Sequence, residues 1–243
     1  LRRHTGLFVT FLLRSSGFVA RNWGNNIANY LKRTSSIISN TDPRPCSVSI
    51  WIYPNNRNIR HSLYSGNNSN NPGLYLELNT DGSNDVIRLY TNGAYHASSS
   101  FTLVTGAWNH IGMSWAAAGA VAYYFGGRPV GTDSFSLTAV VNTAGGYLGS
   151  LDGATAGFLV DGYLSDFAMW NVVLTGAEFA SLVGGRAPSL LRSSATLKSH
   201  TPILGNGTEP DAASTVTWAV NGTLTQVDGP IPNPQGPQRL ARC

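Results

Sequence analysis

Residues 107–132, AWNHIGMSWAAAGAVAYYFGGRPVGT, decide the fold class. Asn109, Ile111, Met113 and Trp115 fall on one side of an extended chain, and Trp108, His110, Gly112 and Ser114 on the other, which is the two-residue period of a strand. Small residues from 116 to 119 make a turn, after which Val121, Tyr123 and Phe125 alternate with Ala122 and Tyr124. Gly126-Gly127 can adopt the positive φ angles of a two-residue hairpin, since neither carries a Cβ. Pro129 has no N–H to donate, so the returning strand is expected at a sheet edge or in a brief pairing.

The alternation continues outward in both directions. In CSVSIWIYP, Cys46, Val48, Ile50 and Ile52 oppose Ser47, Ser49, Trp51 and Tyr53. Bulk on both faces predicts an inner strand of a sandwich. Leu74, Leu76 and Leu78 alternate with Tyr75 and Glu77, Asp81-Gly82 reads as a turn, residues 86–90 return, and Asn92-Gly93 starts another turn. Turns spaced roughly ten residues apart are the signature of a sandwich or barrel. Further on, residues 147–149 and 157–160 read as short strands around the loop 150–156, and GYLSDFAMW at 162–170 alternates again. One helix is expected, opened by a capping box of Thr175 and Glu178, with Phe179, Leu182 and Val183 on its apolar face and Gly184-Gly185 at its end. The chain therefore reads as all-β, a two-sheet antiparallel jelly-roll sandwich with one short helix.

Composition narrows the function classes. The chain has 243 residues, of which 42% are hydrophobic, enough for the core of a single sandwich. No run approaches the ~20 apolar residues that span a bilayer, so no membrane insertion is expected. The formal net charge is +4, but Arg2, Arg3, Arg14, Arg239 and Arg242 lie at the two ends, leaving 11 basic residues against 12 acidic ones in the body. Without a basic stripe, the chain does not read as a nucleic-acid binder. Cys46 shares a strand face with apolar residues and reads as a buried thiol, while two cysteines make no framework; whether Cys46 and Cys243 pair is left open.

Four pieces carry a family resemblance: CSVSIWIYP, WNHIGMSW, the hairpin VAYYFGGRPVGT, and LVDGYLSDFAMWNVVLTGAEFASL. In this order they resemble the laminin-G-like jelly roll of the concanavalin A-like lectin and glucanase superfamily, of the kind found in phage and bacterial surface proteins. The resemblance covers about residues 26–191, and residues 197–227 resemble the return strand that closes such domains. It implies a concave and a convex sheet with loops at a rim, where binding members hold sugar or protein ligands and often calcium.

Candidate site residues follow from chemistry. Glucanases of the superfamily set acidic residues on alternate positions of one strand, Glu-x-Asp-x-x-Glu, so that two carboxyl groups flank the glycosidic bond about 5 Å apart. Here Glu77, Glu178 and Glu209 stand apart from that pattern, and the chain reads as no enzyme, or at most an inactive relative of a glucanase. The five histidines are scattered, and His110 reads as a structural imidazole. Calcium is the one cofactor to consider, with Asp81, Asp85 and Asp152 as candidates, since hard cations need several oxygens on one turn. Asp161 and Asp166 are expected to bond neighbouring backbone. Trp51, Tyr53, Tyr75, Tyr90 and Tyr123, with Tyr95 and Tyr124 beside them, are the aromatic residues that can stack on sugar rings. Asn67-Asn68-Ser69, Asn206-Gly207-Thr208 and Asn221-Gly222-Thr223 match the glycosylation acceptor pattern, although Asn221-Gly222 reads better as a hairpin turn.

The expected organisation is an N-terminal arm or non-native extension at 1–18, a sandwich at 19–229 and a Pro-rich tail at 230–243. A short apolar run at 7–13 resembles a secretory signal, but Arg14 interrupts it. Two functional readings remain. One is a structural protein of a virus particle, a decoration or fibre domain that works with other virion or surface proteins and can bind glycans. The other is a secreted or cell-surface carbohydrate-binding module. The expected location is accordingly a virion or an extracellular surface.

Overall fold

The computed structural model describes residues 19–22, 28–38, 42–68, 71–80, 84–91, 93–136, 145–153, 159–193, 195–203 and 208–229. The expected arm and tail, Asp81-Gly82, Asn92, Ser69, Asn206-Gly207 and Cys243 lie outside the described residues. The strands are β1 (Val19–Asn22), β2 (Tyr30–Arg33), β3 (Cys46–Pro54), β4 (Arg60–Asn68), β5 (Asn71–Asn79), β6 (Val86–Thr91), β7 (Ala94–Ala97) and β8 (Asn109–Trp115). They continue as β9 (Ala120–Phe125), β10 (Arg128–Ser134), β11 (Gly146–Leu148), β12 (Gly162–Trp170), β13 (Leu197–Thr201), β14 (Thr208–Pro210), β15 (Thr217–Asn221) and β16 (Thr225–Asp228). Helix α1 (Gly176–Val183) lies between β12 and β13.

Two antiparallel sheets form the sandwich. The first runs β10-β9-β8-β3-β12-β1-β16, with β13 also paired to β12, and the second runs β14-β15-β2-β11-β4-β5-β6-β7. The inward sets predicted by alternation meet between them. Val48, Ile50 and Ile52 of β3 and Ile111, Met113 and Trp115 of β8 share one core with Leu74, Leu76 and Leu78 of β5, all at 0% exposure. Each such side chain contributes about 1.5–3 kcal/mol by leaving water. Cys46 belongs to this core as a free thiol, and burial pushes its pKa up to about 12. As Pro129 predicts, β10 is an edge strand, with its register broken between Pro129 and Gly131.

Helix α1 covers one end of the first sheet's outer face. Gly112 makes its seat, since a Cβ there would lie 2.6 Å from the Phe179 ring. Phe179 stacks on Tyr124 with ring centroids 4.3 Å apart, and Trp170, Leu174 and Leu182 complete a second apolar cluster. The outward serines anchor the lead-in to the helix. Ser47 Oγ donates to Val172 O at 2.8 Å and accepts from Leu174 N at 2.9 Å, while Ser114 Oγ donates to Leu174 O at 2.8 Å. The capping box forms as expected, with Glu178 N bonded to Thr175 Oγ1 and Thr175 N bonded to Glu178 Oε2.

Some local readings change. Asn221-Gly222 is not the turn of a hairpin, because β15 pairs with β14 and β2 in the second sheet whereas β16 pairs with β1 in the first. It is a corner between sheets, where Thr223 N donates to Asn29 Oδ1 at 3.0 Å. Asp166 bonds a side chain, His200, at 2.8 Å, and Asp161 accepts from the Asn55 amide side chain at 3.2 Å. Asp166 has φ +50° where β12 breaks register between Ser165 and Ala168, the point at which its edge passes from β1 to β13. Of the strand expected at 157–160, residues 157 and 158 lie outside the described residues, and Leu159 makes an isolated bridge to Ser150. The closing segment resolves into β13, β14, β15 and β16, shared between both sheets.

Candidate functional site

Register lines up a row of side chains across the outer face of the second sheet. Lys32 of β2 stands opposite Tyr147 of β11, Tyr147 opposite Ser65 of β4, Ser65 opposite Tyr75 of β5, Tyr75 opposite Tyr90 of β6, and Tyr90 opposite Tyr95 of β7. At the ~4.8 Å spacing of neighbouring strands, this row is about 24 Å long. The next row holds Ser62, Glu77, Arg88 and Ala97.

Glu77 organises the β4–β7 end. Its carboxylate is fully buried and accepts from Arg88 Nε at 2.8 Å and Nη2 at 2.7 Å, with Arg60 Nε 3.6 Å away. A buried carboxylate needs such partners, because an unpaired one costs several kcal/mol. Above it the Arg88 and Arg60 guanidiniums lie 4.5 Å and 5.3 Å from the centre of the Tyr95 ring, which is 42% exposed and packs on Tyr90 at 4.7 Å. Tyr75 forms the floor. Burial, and after it the charge of Glu77, push its hydroxyl well above the ordinary phenol value, so it stays protonated. At the other end Lys32 Nζ sits 5.6 Å from the Tyr147 ring centre, and Tyr30 packs on Tyr147 at 5.6 Å.

A second aromatic surface occupies the part of the first sheet's outer face beyond α1. Tyr53 meets Trp108 at 5.7 Å and Tyr163 at 5.1 Å, both edge to face, and Trp51 meets His110 at 5.1 Å. These half-buried rings are satisfied largely by one another. His110 is a core group, bonded through Nε2 to Ser49 Oγ at 2.9 Å and pushed down to a pKa of about 3 by burial. The second-sheet face is the better candidate, since one exposed ring there, Tyr95, stands beside charged hydrogen-bonding groups.

The sequence-predicted residues thus fall on separate surfaces. Trp51 and Tyr53 lie on the first sheet's outer face, and Tyr90 and Tyr95 on the second sheet's. Tyr75 and Tyr123 are corrections, because at 1% and 0% exposure neither offers a ring to a ligand. Tyr123 faces the core, and its hydroxyl donates to His96 O at 2.9 Å. Tyr124 is covered by α1.

Asp85 is a correction too. Its buried carboxylate accepts from Arg57 Nη2 and Leu103 N, both at 2.6 Å, so a guanidinium holds the place a calcium ion would need. Asp152 lies half-buried in the loop after β11, and Asp81 is outside the described residues. Among the described residues, no group of three or more His, Cys, Asp or Glu side chains is placed to hold a metal ion.

Sequence reading missed Glu77, Arg60, Arg88, Lys32 and Tyr147 as site residues. The signal for the first of these existed: pairing LYLEL with VIRLY sets Glu77 opposite Arg88 and Tyr75 opposite Tyr90.

Two antiparallel sheets packed on one core define a β-sandwich. Residues 25–180 match the laminin-G-type family model of the concanavalin A-like lectin/glucanases superfamily, and the chain belongs to that family. Among solved structures it is similar to a protein from Bacteroides ovatus ATCC 8483 named as a candidate carbohydrate-binding protein. The two share 16% identity at a TM-score of 0.67, over 87% of this chain and 60% of that one. It is also similar to the native heptameric SAP-like pentraxin from Limulus polyphemus, at 15% identity and a TM-score of 0.64, over 86% of this chain and 94% of that one. The chain thus spans about 60% of the length of the first of these. At such identities the likeness is one of fold. A comparison with curated proteins found no match.

Proposed function

We propose that the chain is a non-catalytic carbohydrate-recognition domain that works from the outer face of the second sheet. The row from Tyr147 through Tyr90 to Tyr95, with Arg60, Arg88 and Glu77 beside it, carries this reading. Aromatic rings supply the apolar surface on which a pyranose stacks, and the charged groups supply hydrogen bonds to its hydroxyls. The superfamily of lectins and glucanases and the name of the Bacteroides relative support the same class. Glu77 is engaged by two arginines, and among the described residues of the paired rows of this face there is no second carboxylate, so binding without hydrolysis is the expected outcome. No described helix is long and apolar enough to cross a membrane, and an extracellular surface is where a glycan-recognition domain would meet its ligand.

A glycan array probed with the full chain, with calcium and then with chelator, tests the reading. Binding to a defined set of glycans supports it, and an array empty under both conditions contradicts it. Turnover of a β-glucan panel that is abolished by Glu77→Gln would overturn the non-catalytic part.

The finer role, a decoration or fibre domain of a virus particle, rests on the basic residues Arg2, Arg3, Arg14, Arg239 and Arg242, because the body of the chain is close to neutral. Particle binding that is lost on deleting residues 1–18 and 236–243 would support it, and full retention would remove it.

A further inference from the structure

Four aromatic rings stand on the part of the first sheet's outer face that α1 leaves open. Trp108, the residue before β8, lies beside Tyr53 of β3, Tyr53 is opposite Tyr163 of β12, and Trp51 is two residues back along β3. All four keep part of their surface in solvent. The loop before Trp108 makes a rim, tied down by Gly106 N donating to Pro54 O at 2.9 Å and by the Asn109 amide donating to Val104 O at 2.8 Å. On that rim Val104 is 52% exposed.

The tail after β16 carries a matching pattern. From 231 to 240 every third residue is apolar, Ile231, Pro234, Pro237 and Leu240, and residues 230–237 hold four prolines. A polyproline II helix has three residues per turn, which would set these four side chains along one edge. The tail also starts close enough. Through Asn22 of β1, Thr225 stands level with Tyr163, so Gly229 lies about 14 Å further along the edge and three strand spacings from β3, about 20 Å from Tyr53. Residues 230–237 would span about 25 Å as polyproline II, enough to bring Pro237 over Tyr53 with Pro234 one turn, about 9 Å, behind it.

We propose that residues 231–240 dock within the same chain, as a polyproline II strap, on the surface made by Trp51, Tyr53, Trp108 and Tyr163. Pro-rich segments seat on aromatic-lined surfaces because proline's fixed φ lowers the cost of ordering them. Their carbonyls have no internal partner, and the indole N–H and phenol O–H groups at the ring edges are donors for them. The strap lies on the first sheet and leaves the tyrosine row of the second sheet free, so it stands apart from the glycan reading.

Cys243 gives the test its handle. Cys46 is buried and its pKa is pushed up to about 12, so a thiol-reactive nitroxide takes Cys243, with Cys243→Ser as the blank. Nuclear magnetic resonance of the isotopically labelled full chain then reads the indole N–H signals. A short linker holds the tail at a ~mM effective concentration, so the signals of Trp51 and Trp108 should lose at least about half their intensity. The signal of Trp115, about 24 Å along β8 from Trp108, should keep its own. Pro234→Asp with Pro237→Asp should restore both lost signals.

Equal loss at Trp51, Trp108 and Trp115, or loss that survives the double proline variant, overturns the docked strap. Loss that arises when nitroxide-bearing chains are mixed with isotopically labelled chains lacking the nitroxide places the tail on a second copy, and overturns docking within one chain. No loss anywhere also overturns it, and a shift of the two indole signals in Phe8→Ser with Phe11→Ser would then give the surface to the apolar run at 7–13.

Discussion

His110 enters the interior as a neutral ring, with Trp51 against one side and Phe179 near another. Burial pushes its pKa from 6.5 down to about 3, and His61 is also pushed down, burial outweighing its bond to Asn56 O. The folded chain keeps the His110 ring neutral and resists protonation of His61, whereas the unfolded chain takes up protons near pH 6.5. Their stability is therefore complete above that value and is lost as pH falls toward the folded values, by up to about 1.4 kcal/mol per unit for each ring. Lowered carboxyl pKa values act at more acid pH. Asp42, bonded by Arg44, matters only below 3.8, and Glu178, where partial burial is outweighed by bonds from Arg192 and Thr175, only below 4.5. The window from pH 6.5 to 5 thus isolates the imidazoles. Urea unfolding should show a loss of about 2 kcal/mol from His110 between pH 7 and 5, to which His61 adds in the same direction, with the slope reduced in His110→Phe. Equal slopes for the variant and the wild type would show that His110 does not carry this linkage.

At the scale of elements, α1 shows what local sequence can and cannot reveal. Thr175 and Glu178 stand three residues apart, so the cap is legible without knowing the fold. Thr175→Ala should lower stability by about 1 kcal/mol, measured by thermal unfolding. The landing place of the helix is not legible, because it depends on which sheet face the chain returns to after β12. Gly112 records that landing with the 2.6 Å its missing Cβ would leave to Phe179. Gly112→Ala should cost about 1–3 kcal/mol and speed amide exchange in α1 ahead of the core strands. Unchanged exchange in α1 would mean that the ring gives way without moving the helix. The corner at Asn221-Gly222 is the same lesson in reverse. Its turn chemistry was readable, but pairing is decided by edges already taken by β14 and, far away in the chain, by β2.

For the whole molecule, alternation in β3, β5, β8 and β12 was enough to read a two-sheet sandwich, because each strand buries one face and a slip of one residue would expose it. The site was legible only in fragments. Tyr90 and Tyr95 could be singled out, but sequence could not separate them from Tyr123, which has the same residue type and faces inward. It also could not place Tyr147 beside Ser65, since β11 reaches β4 only through the order of the second sheet. The central claim is that glycans bind on this sheet's outer face and not on the Trp51–Tyr53 side of the first. Calorimetric titration of a glycan taken from the array tests it most directly, on the wild type, on Tyr90→Ala with Tyr95→Ala, and on Trp108→Ala. The tyrosine double variant should lose at least about ten-fold in affinity, or roughly 1.4 kcal/mol, while Trp108→Ala stays within about two-fold of wild type. The opposite pattern, with Trp108→Ala losing affinity and the tyrosine variant keeping it, would contradict the account.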